Sequence, residues 1–334
     1  MSRRRSYESY DESDARARPG RGSRPRSKIR PAHENAERGY VTAVDRGRLT
    51  CLVEEDKRTV TAMRARELGR KAVVVGDFVG LVGDTSGDEG TLARIVRIEK
   101  RETVLRRTAD DVDPVERVIV ANADQMVIVT SVTDPEPRPR LIDRCLVAAY
   151  DAGIGPLLCV TKTDLDDPSE LLAAFGPLDV PTITTELDGD LDPLRDRLAG
   201  RRSVLVGHSG VGKSTLVNAL VPGAERATGA VNVVTGRGRH VSTSAVALQL
   251  PGGGWVIDTP GIRSFGLAHV DPDRLISAFP DLDVVSENCP RGCTHTASEP
   301  ECALDDALRD GRLDPARVES YRRLLASRDR QAGD

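Results

Sequence analysis

A chain of 334 residues, 39% hydrophobic and 30% charged, has room for two or three domains and enough apolar residues for a packed core, which excludes a wholly disordered protein. No apolar run approaches the roughly 18 residues of a membrane span, no hydrophobic stretch follows the first arginines, and six cysteines are too few for a disulfide scaffold at this length. A cytoplasmic location without a membrane is therefore expected.

The formal net charge of −4 conceals an asymmetry. Residues 1–38 hold eleven Arg/Lys against six Asp/Glu, and residues 16–30 hold seven basic residues and no acidic one. Their few apolar residues cannot offset the entropy of ordering, so they are expected to form a disordered basic tail. Such a tail suits a polyanionic partner, or serves only to keep the protein soluble.

From Gly39 the character changes. Short apolar runs at residues 39–45, 49–54, 58–62, 71–82 and 92–99, separated by Gly/Asp turns, predict a small all-β barrel or sandwich. Phe78 is the one aromatic of its strands, with Tyr40 where the barrel begins. Contacts from such a barrel to RNA would fall mainly on phosphates rather than stacked bases.

Beyond about residue 115 strands and helices alternate. Strands are predicted at 125–132, 157–160, 180–184 and 203–206, with helices at 141–152, 171–175, 192–199 and from 213 onward, so the sheet is mainly parallel. The tail end of the chain is polar and helical, at 272–279, 303–308 and 315–328.

Gly207-His208-Ser209-Gly210-Val211-Gly212-Lys213-Ser214 matches the phosphate-loop pattern in full, with Thr215 following, and lies between a strand and a helix. Glycines let the backbone wrap the phosphates with its N–H groups inward. Lys213 is expected on the β- and γ-phosphates, and Ser214 on Mg²⁺. An ordinary Gly-rich turn is the plainer reading, which the strand–loop–helix context disfavours.

Thr161-Lys162-Thr163-Asp164 follows an apolar strand and is similar to the NKxD base-reading motif, with Thr in the Asn position. A carboxylate at Asp164 can accept from both guanine N1–H and the exocyclic amine, a pair adenine lacks. Ile183-Thr184-Thr185 is expected to offer a backbone N–H to guanine O6. Asp258-Thr259-Pro260-Gly261 ends another apolar strand and fits DxxG, in which Asp258 holds the Mg²⁺ water shell and the Gly261 N–H senses the γ-phosphate. The base motif precedes the phosphate loop, a circularly permuted order; a parallel sheet can still bring these loops to one edge.

Many GTPases place a Gln after DxxG to orient water. Here Ile262 stands there and cannot, which leaves His240, in the arginine-rich loop 236–240, as the catalytic candidate; contact with RNA or solvent alone is the other reading. Ser242 or Thr243 would then supply the second Mg²⁺-ligating hydroxyl. Cys289-x3-Cys293-x-His295-x6-Cys302 offers three thiolates and an imidazole, the donor set of a closed structural Zn²⁺ site. Cys51, Cys145 and Cys159 sit in apolar runs and read as core residues.

These motifs together resemble the bacterial ribosome small-subunit-dependent GTPase A family over about residues 39–325, most specifically in the phosphate loop, the stretch 258–267, the loop 236–240 and the Cys/His cluster. The resemblance implies an OB-fold barrel (39–100), a circularly permuted GTPase domain (101–268) and a helical zinc-binding domain (269–334). It implies binding to the small ribosomal subunit and its rRNA late in maturation, GTP hydrolysis stimulated by the subunit, Mg²⁺ with GTP, one Zn²⁺, and the catalytic role of His240. A monomer is expected. The alternatives are a nucleotide-sensing RNA scaffold with little turnover and a P-loop ATPase.

Overall fold

The computed structural model describes residues 33–45, 47–68, 73–108, 116–223, 245–259, 267, 270 and 272–329. The expected basic tail lies, up to residue 32, outside them, as do the segment 224–244 with His240, Ser242 and Thr243, and the segment 260–266 with Gly261. Residues Asn35–Asp334 belong to one compact unit.

Five strands form the barrel: β1 (Glu37–Asp45), β2 (Arg48–Val53), β3 (Thr59–Arg64), β4 (Phe78–Gly83) and β5 (Ala93–Ile98). They pair in the order β1-β2-β3-β5-β4, and β4 returns to β1, so the barrel closes and leaves no free edge there. Alternate residues point inward: Val41, Cys51, Val60, Ala62, Leu81 and Ile95 make its core. The apolar run 71–82 yields a strand only from Phe78 onward. Before it, the buried Asp77 carboxylate accepts from its own Val74 N–H (2.8 Å) and takes Arg101 in a two-pronged ion pair, which folds the chain into a turn.

A two-stranded hairpin, β6 (Val104–Thr108) and β7 (Glu116–Ala121), leads into the second sheet and was not legible as such. That sheet is built from β8 (Gln125–Ser131), β9 (Gly155–Thr161), β10 (Thr182–Thr184), β11 (Arg202–Val206), β12 (Val246–Gln249) and β13 (Trp255–Asp258). The order is β10-β9-β8-β11-β13-β12; all pairs are parallel except β13–β12. Helices α1 (Pro139–Asp151), α2 (Ser169–Phe175), α3 (Asp192–Leu198) and α4 (Lys213–Leu220) connect the strands.

Period-2 alternation sorts the strand residues between two layers. Met126, Ile128, Leu158, Val160, Val204 and Ile257 face α1 and the C-terminal helices. Val127, Val129, Leu157, Cys159, Leu205 and Val256 face α3 and α4. The C-terminal helices are α5 (Pro272–Ile276), α6 (Pro280–Ser286), α7 (Ala303–Arg309) and α8 (Pro315–Asp329). Phe279 and Tyr321 from this region stack edge-on, and Phe279 meets Tyr150 of α1 in the same way.

Barrel and second sheet share hydrogen bonds. Strand β1 pairs with β4 through its first half and meets β12 at Ala43↔Val246, so both sheets form one eleven-stranded array. Tyr40, 3% exposed, lies between Phe78 (5.2 Å between ring centres) and Trp255 (4.8 Å). Expected merely at the start of the barrel, Tyr40 instead packs against the strand that carries Asp258.

Candidate functional site

The parallel strands bring their carboxyl ends to one edge. Register aligns Ser131 with Thr161, Ile128 with Val206, Leu205 with Asp258, and Val160 with Thr184. The chain runs outward through β8, β9 and β10, then returns to the other side of β8 with β11. Strand direction of travel therefore reverses between β8 and β11, which opens the ligand-binding crevice of such sheets at that point. The phosphate loop leaves β11 and the base motif leaves β9, so both border the crevice.

Gly207 has φ 147° and would place a Cβ 2.2 Å from the Val129 carbonyl, so only glycine lets the loop leave the sheet so closely. The loop ends at Gly212, and α4 begins at Lys213 with Ser214 and Thr215 exposed on its first turn. The Lys213 ammonium lies inside the loop and donates to the carbonyls of Gly207 (2.6 Å) and His208 (2.5 Å). Burial lowers its pKa, an effect opposed by Asp258; burial likewise raises Asp258, opposed by Lys213. A cation and a carboxylate at the same strand ends suit a polyphosphate with its Mg²⁺.

His208 keeps its Nδ1 on the Ser209 carbonyl at 2.8 Å, which fixes its ring beside the loop. Val211 is fully buried under the loop, while Ser209 and Gly210 are exposed. Thr259, next to Asp258, donates to the Leu205 carbonyl at 2.6 Å and anchors that strand end to the strand of the phosphate loop.

The base motif is arranged around Thr161. Its side chain is buried, and its hydroxyl donates to Val211 O (2.8 Å) with Thr130 O beside it at 3.2 Å. Lys162, with φ 61°, donates to the Asp134 carbonyl. Asp164 is exposed, and its carboxylate meets the Leu187 N–H at 3.4 Å. The expected backbone donor at Ile183–Thr185 needs correction at Thr185: that N–H is committed to the sheet through Val160 O at 2.8 Å, and the amide that borders Asp164 is Leu187. The loop after β8, residues 132–138, also reaches this edge. Sequence reading passed over it, although a polar, proline-rich stretch directly after an apolar strand marks a carboxyl-end loop.

The second cluster stands apart in sequence. The ligand atoms of Cys289, Cys293, His295 and Cys302 lie within 4.8 Å of one another. His295 Nδ1 is 3.6 Å from Cys289 Sγ, 3.5 Å from Cys293 Sγ and 3.9 Å from Cys302 Sγ; Cys289 and Cys302 are 4.0 Å apart. A four-coordinate site of this donor set has edges of about 3.5–3.8 Å, so the group can hold a metal ion. The Ala303 N–H reaches Cys289 Sγ at 3.3 Å, a contact that suits a thiolate, and Arg322 bonds the His295 carbonyl while paired with Asp305. The other three thiols are buried, and burial pushes each up to about 12, as inert core cysteines require.

A phosphate loop, a TKxD motif that precedes it in the chain and an aspartate strand end, gathered at one sheet edge, define a circularly permuted P-loop GTPase. Solved structures agree: that of YjeQ from Thermotoga maritima is 26% identical, covers 87% of this chain and 98% of its own, and superposes with a TM-score of 0.65. YloQ, described as a circularly permuted GTPase, shares the fold at a TM-score of 0.64 and 24% identity, over 90% of this chain and 97% of its own. The chain belongs to the RsgA GTPase family, whose model matches residues 98–268. The Small ribosomal subunit biogenesis GTPase RsgA of Pseudomonas aeruginosa strain LESB58 is 42% identical over 265 residues, 77% of this chain and 76% of the relative. The protein of the same name from Chlorobaculum parvum is 40% identical over 282 residues, 81% and 90% of the two chains. Among the described residues no helix is long and apolar enough to cross a membrane.

Proposed function

We propose that this GTP hydrolase acts on the small ribosomal subunit late in its maturation, and that binding to the subunit and its rRNA stimulates hydrolysis. The observation that carries the reading is the convergence of Asp164, Lys213 and Asp258 at one sheet edge, in a chain about 40% identical to proteins named for small-subunit biogenesis. Asp164 selects guanine. Thr161 and Lys162 hold the base loop. The backbone from Gly207 through Gly212 wraps the phosphates, with Lys213 neutralising their charge and the exposed first turn, Ser214 and Thr215, beside them.

Mg²⁺ bound with GTP supplies charge neutralisation at the β- and γ-phosphates. Ser214, Ser242 or Thr243, and Asp258 through water, would hold it, and Gly261 would meet the γ-phosphate. His240 positions the attacking water when the subunit is bound. The Cys289/Cys293/His295/Cys302 group holds one structural Zn²⁺, since four protein donors leave no open position for hydrolysis. The domains divide as a basic tail (1–38), an OB-fold barrel (39–100), a GTPase domain (101–268) and a helical zinc-binding domain (269–334). The protein works in the cytoplasm as a monomer. Much of its affinity for rRNA is electrostatic and falls with salt.

The test is phosphate release from GTP and from ATP, with and without small ribosomal subunits. Slow GTP-specific turnover that rises sharply with subunits is expected. Comparable ATP turnover, or indifference to subunits, would overturn the reading.

A further inference from the structure

The loop that leaves β8 touches both nucleotide-binding loops and belongs to neither. Ser131, fully buried at the last position of β8, donates its hydroxyl to the Pro135 carbonyl at 2.6 Å and closes a tight loop. From that loop the Asp134 carbonyl receives the ammonium of Lys162, the middle of the base motif. Its Pro135 ring backs the phosphate loop: a Cβ built on Gly210 would meet Pro135 Cδ at 3.5 Å and Cγ at 3.8 Å. Directly before it, the Val132 N–H bonds the Thr161 carbonyl at 3.0 Å.

Asp134 (φ 39°) and Lys162 (φ 61°) are non-glycine residues in the left-handed region, each of which costs about 1 kcal/mol or more unless its surroundings over-determine it. The side chain of one of these residues bonds the main chain of the other, Lys162 ammonium to Asp134 carbonyl.

We propose that the segment Ser131–Pro135 is a positioning element for guanine-nucleotide binding, which sets the spacing between the base motif at Lys162 and the phosphate loop at Gly210. A nucleotide spans both loops at once. The loops stand far apart in the chain, so their relative placement is not set by local sequence. Residues that fix it in advance lower the ordering cost of binding. Ser131 and Pro135 touch no reacting atom in this scheme; they act through Gly210 and Lys162. The inference rests on the GTPase reading above and deepens it.

The test compares Ser131→Ala, Ser131→Thr and Pro135→Ala in the full chain, with fluorescent GDP as the probe for affinity and dissociation rate. Ser131→Ala is expected to raise the Kd about tenfold, the loss of one hydrogen bond's worth of placement, with most of the change in a faster dissociation rate. KM for GTP should rise in parallel. Ser131→Thr keeps a hydroxyl and should recover most of the affinity. Pro135→Ala removes the ring that backs Gly210 and should weaken binding several-fold. Unchanged affinity in Pro135→Ala and in folded Ser131→Ala would overturn the proposal. So would an affinity loss in Ser131→Ala that Ser131→Thr fails to restore. A parent protein that prefers ADP to GDP would sink the GTPase reading itself, a different result from a parent that binds GDP and variants that match it.

Discussion

The hydroxyl of Thr161 donates to the main-chain oxygen of Val211 across 2.8 Å, so one buried hydrogen bond ties the base strand to the phosphate loop. Thr161 stands where the family's motif has Asn, and its short side chain still spans the gap because β8, between the two loops, ends at the same level as β9. Thr161→Val keeps the shape and removes the donor, which leaves two carbonyls, Val211 and Thr130, without it. GDP affinity should fall by about five- to thirtyfold, equivalent to roughly 1–2 kcal/mol. Thr161→Ser should retain most of it. Titration with fluorescent GDP measures both, and a Val variant with unchanged affinity would remove Thr161 from the nucleotide-binding machinery.

Asp164 offers a more selective test. Its carboxylate is exposed beside the Leu187 amide, with lone pairs for two donors of a base. Asp164→Asn replaces one acceptor with an N–H₂ donor. Guanine then loses a charge-assisted partner and meets a donor facing its own amine, and affinity should drop tenfold or more, about 1.5–3 kcal/mol. Xanthine carries a carbonyl in place of that amine, so the variant should gain affinity for xanthosine nucleotides. Competition between guanosine and xanthosine diphosphates reads the exchange directly. A uniform loss for both bases would mean that Asp164 supports the loop without reading the base.

Much of this site was legible because its parts are local. The glycine pattern from Gly207 to Gly212, the thiols around His295 and the apolar strands before each motif are set by contiguous residues, and they appear where their spacing predicts. What was not legible depends on pairing at a distance. Strand β12 is four residues long and exists because Val246 has Asp258 on one side and Ala43, some two hundred residues earlier, on the other. The hairpin β6–β7, VLRRT against ERVIVA, exists through the antiparallel pairing of its two strands with each other, which no single stretch of sequence reveals. Thr185 looked free to meet a base because nothing in its sequence reveals that Val160 takes its amide. The Ser131–Pro135 loop carries no motif at all; its part in the site appears only once Pro135 is seen behind Gly210.

The Cys/His group predicts a large stability effect from a small chemical change. Cys302 is buried, sits at the amino end of α7, and shares its site with Cys289, Cys293 and His295. Metal binding at such a site is coupled to folding, because the ligands are scattered in the unfolded chain. Cys302→Ser should abolish stoichiometric metal, measured by elemental mass spectrometry. It should also lower the melting temperature by about 10 °C, the scale expected when several kcal/mol are lost from a protein of this size. Treatment of the unaltered protein with a strong chelator should reproduce the shift. A variant that loses the metal but melts at the same temperature would show that the apolar packing of α5–α8 suffices alone.

The junction between α1 and α8 predicts a pH effect. Asp143 is buried on α1, and Arg323 of α8 donates to its two oxygens at 3.3 and 3.1 Å. Burial pushes the Asp143 carboxyl up to about 6, and the attraction of Arg323 offsets only part of that rise. The folded protein therefore keeps a proton that the unfolded chain releases near pH 4. The stabilisation this gives is complete below that pH and disappears as the pH rises through about 6. Asp143→Asn has the same shape and cannot ionise. Between pH 4.5 and 7 the variant should gain on the parent in unfolding free energy by about 2 kcal/mol, because the unfolded carboxyl is already mostly ionised at pH 4.5 and only about 1.4 pKa units, at 1.36 kcal/mol each, remain to be lost in that window. Denaturant titrations of both proteins at the two pH values give the difference, in which the other carboxyl groups cancel. A gap that moves the other way would mean that the ion pair outweighs burial, and that Arg323 fastens the C-terminal helices to α1 more firmly in its charged form.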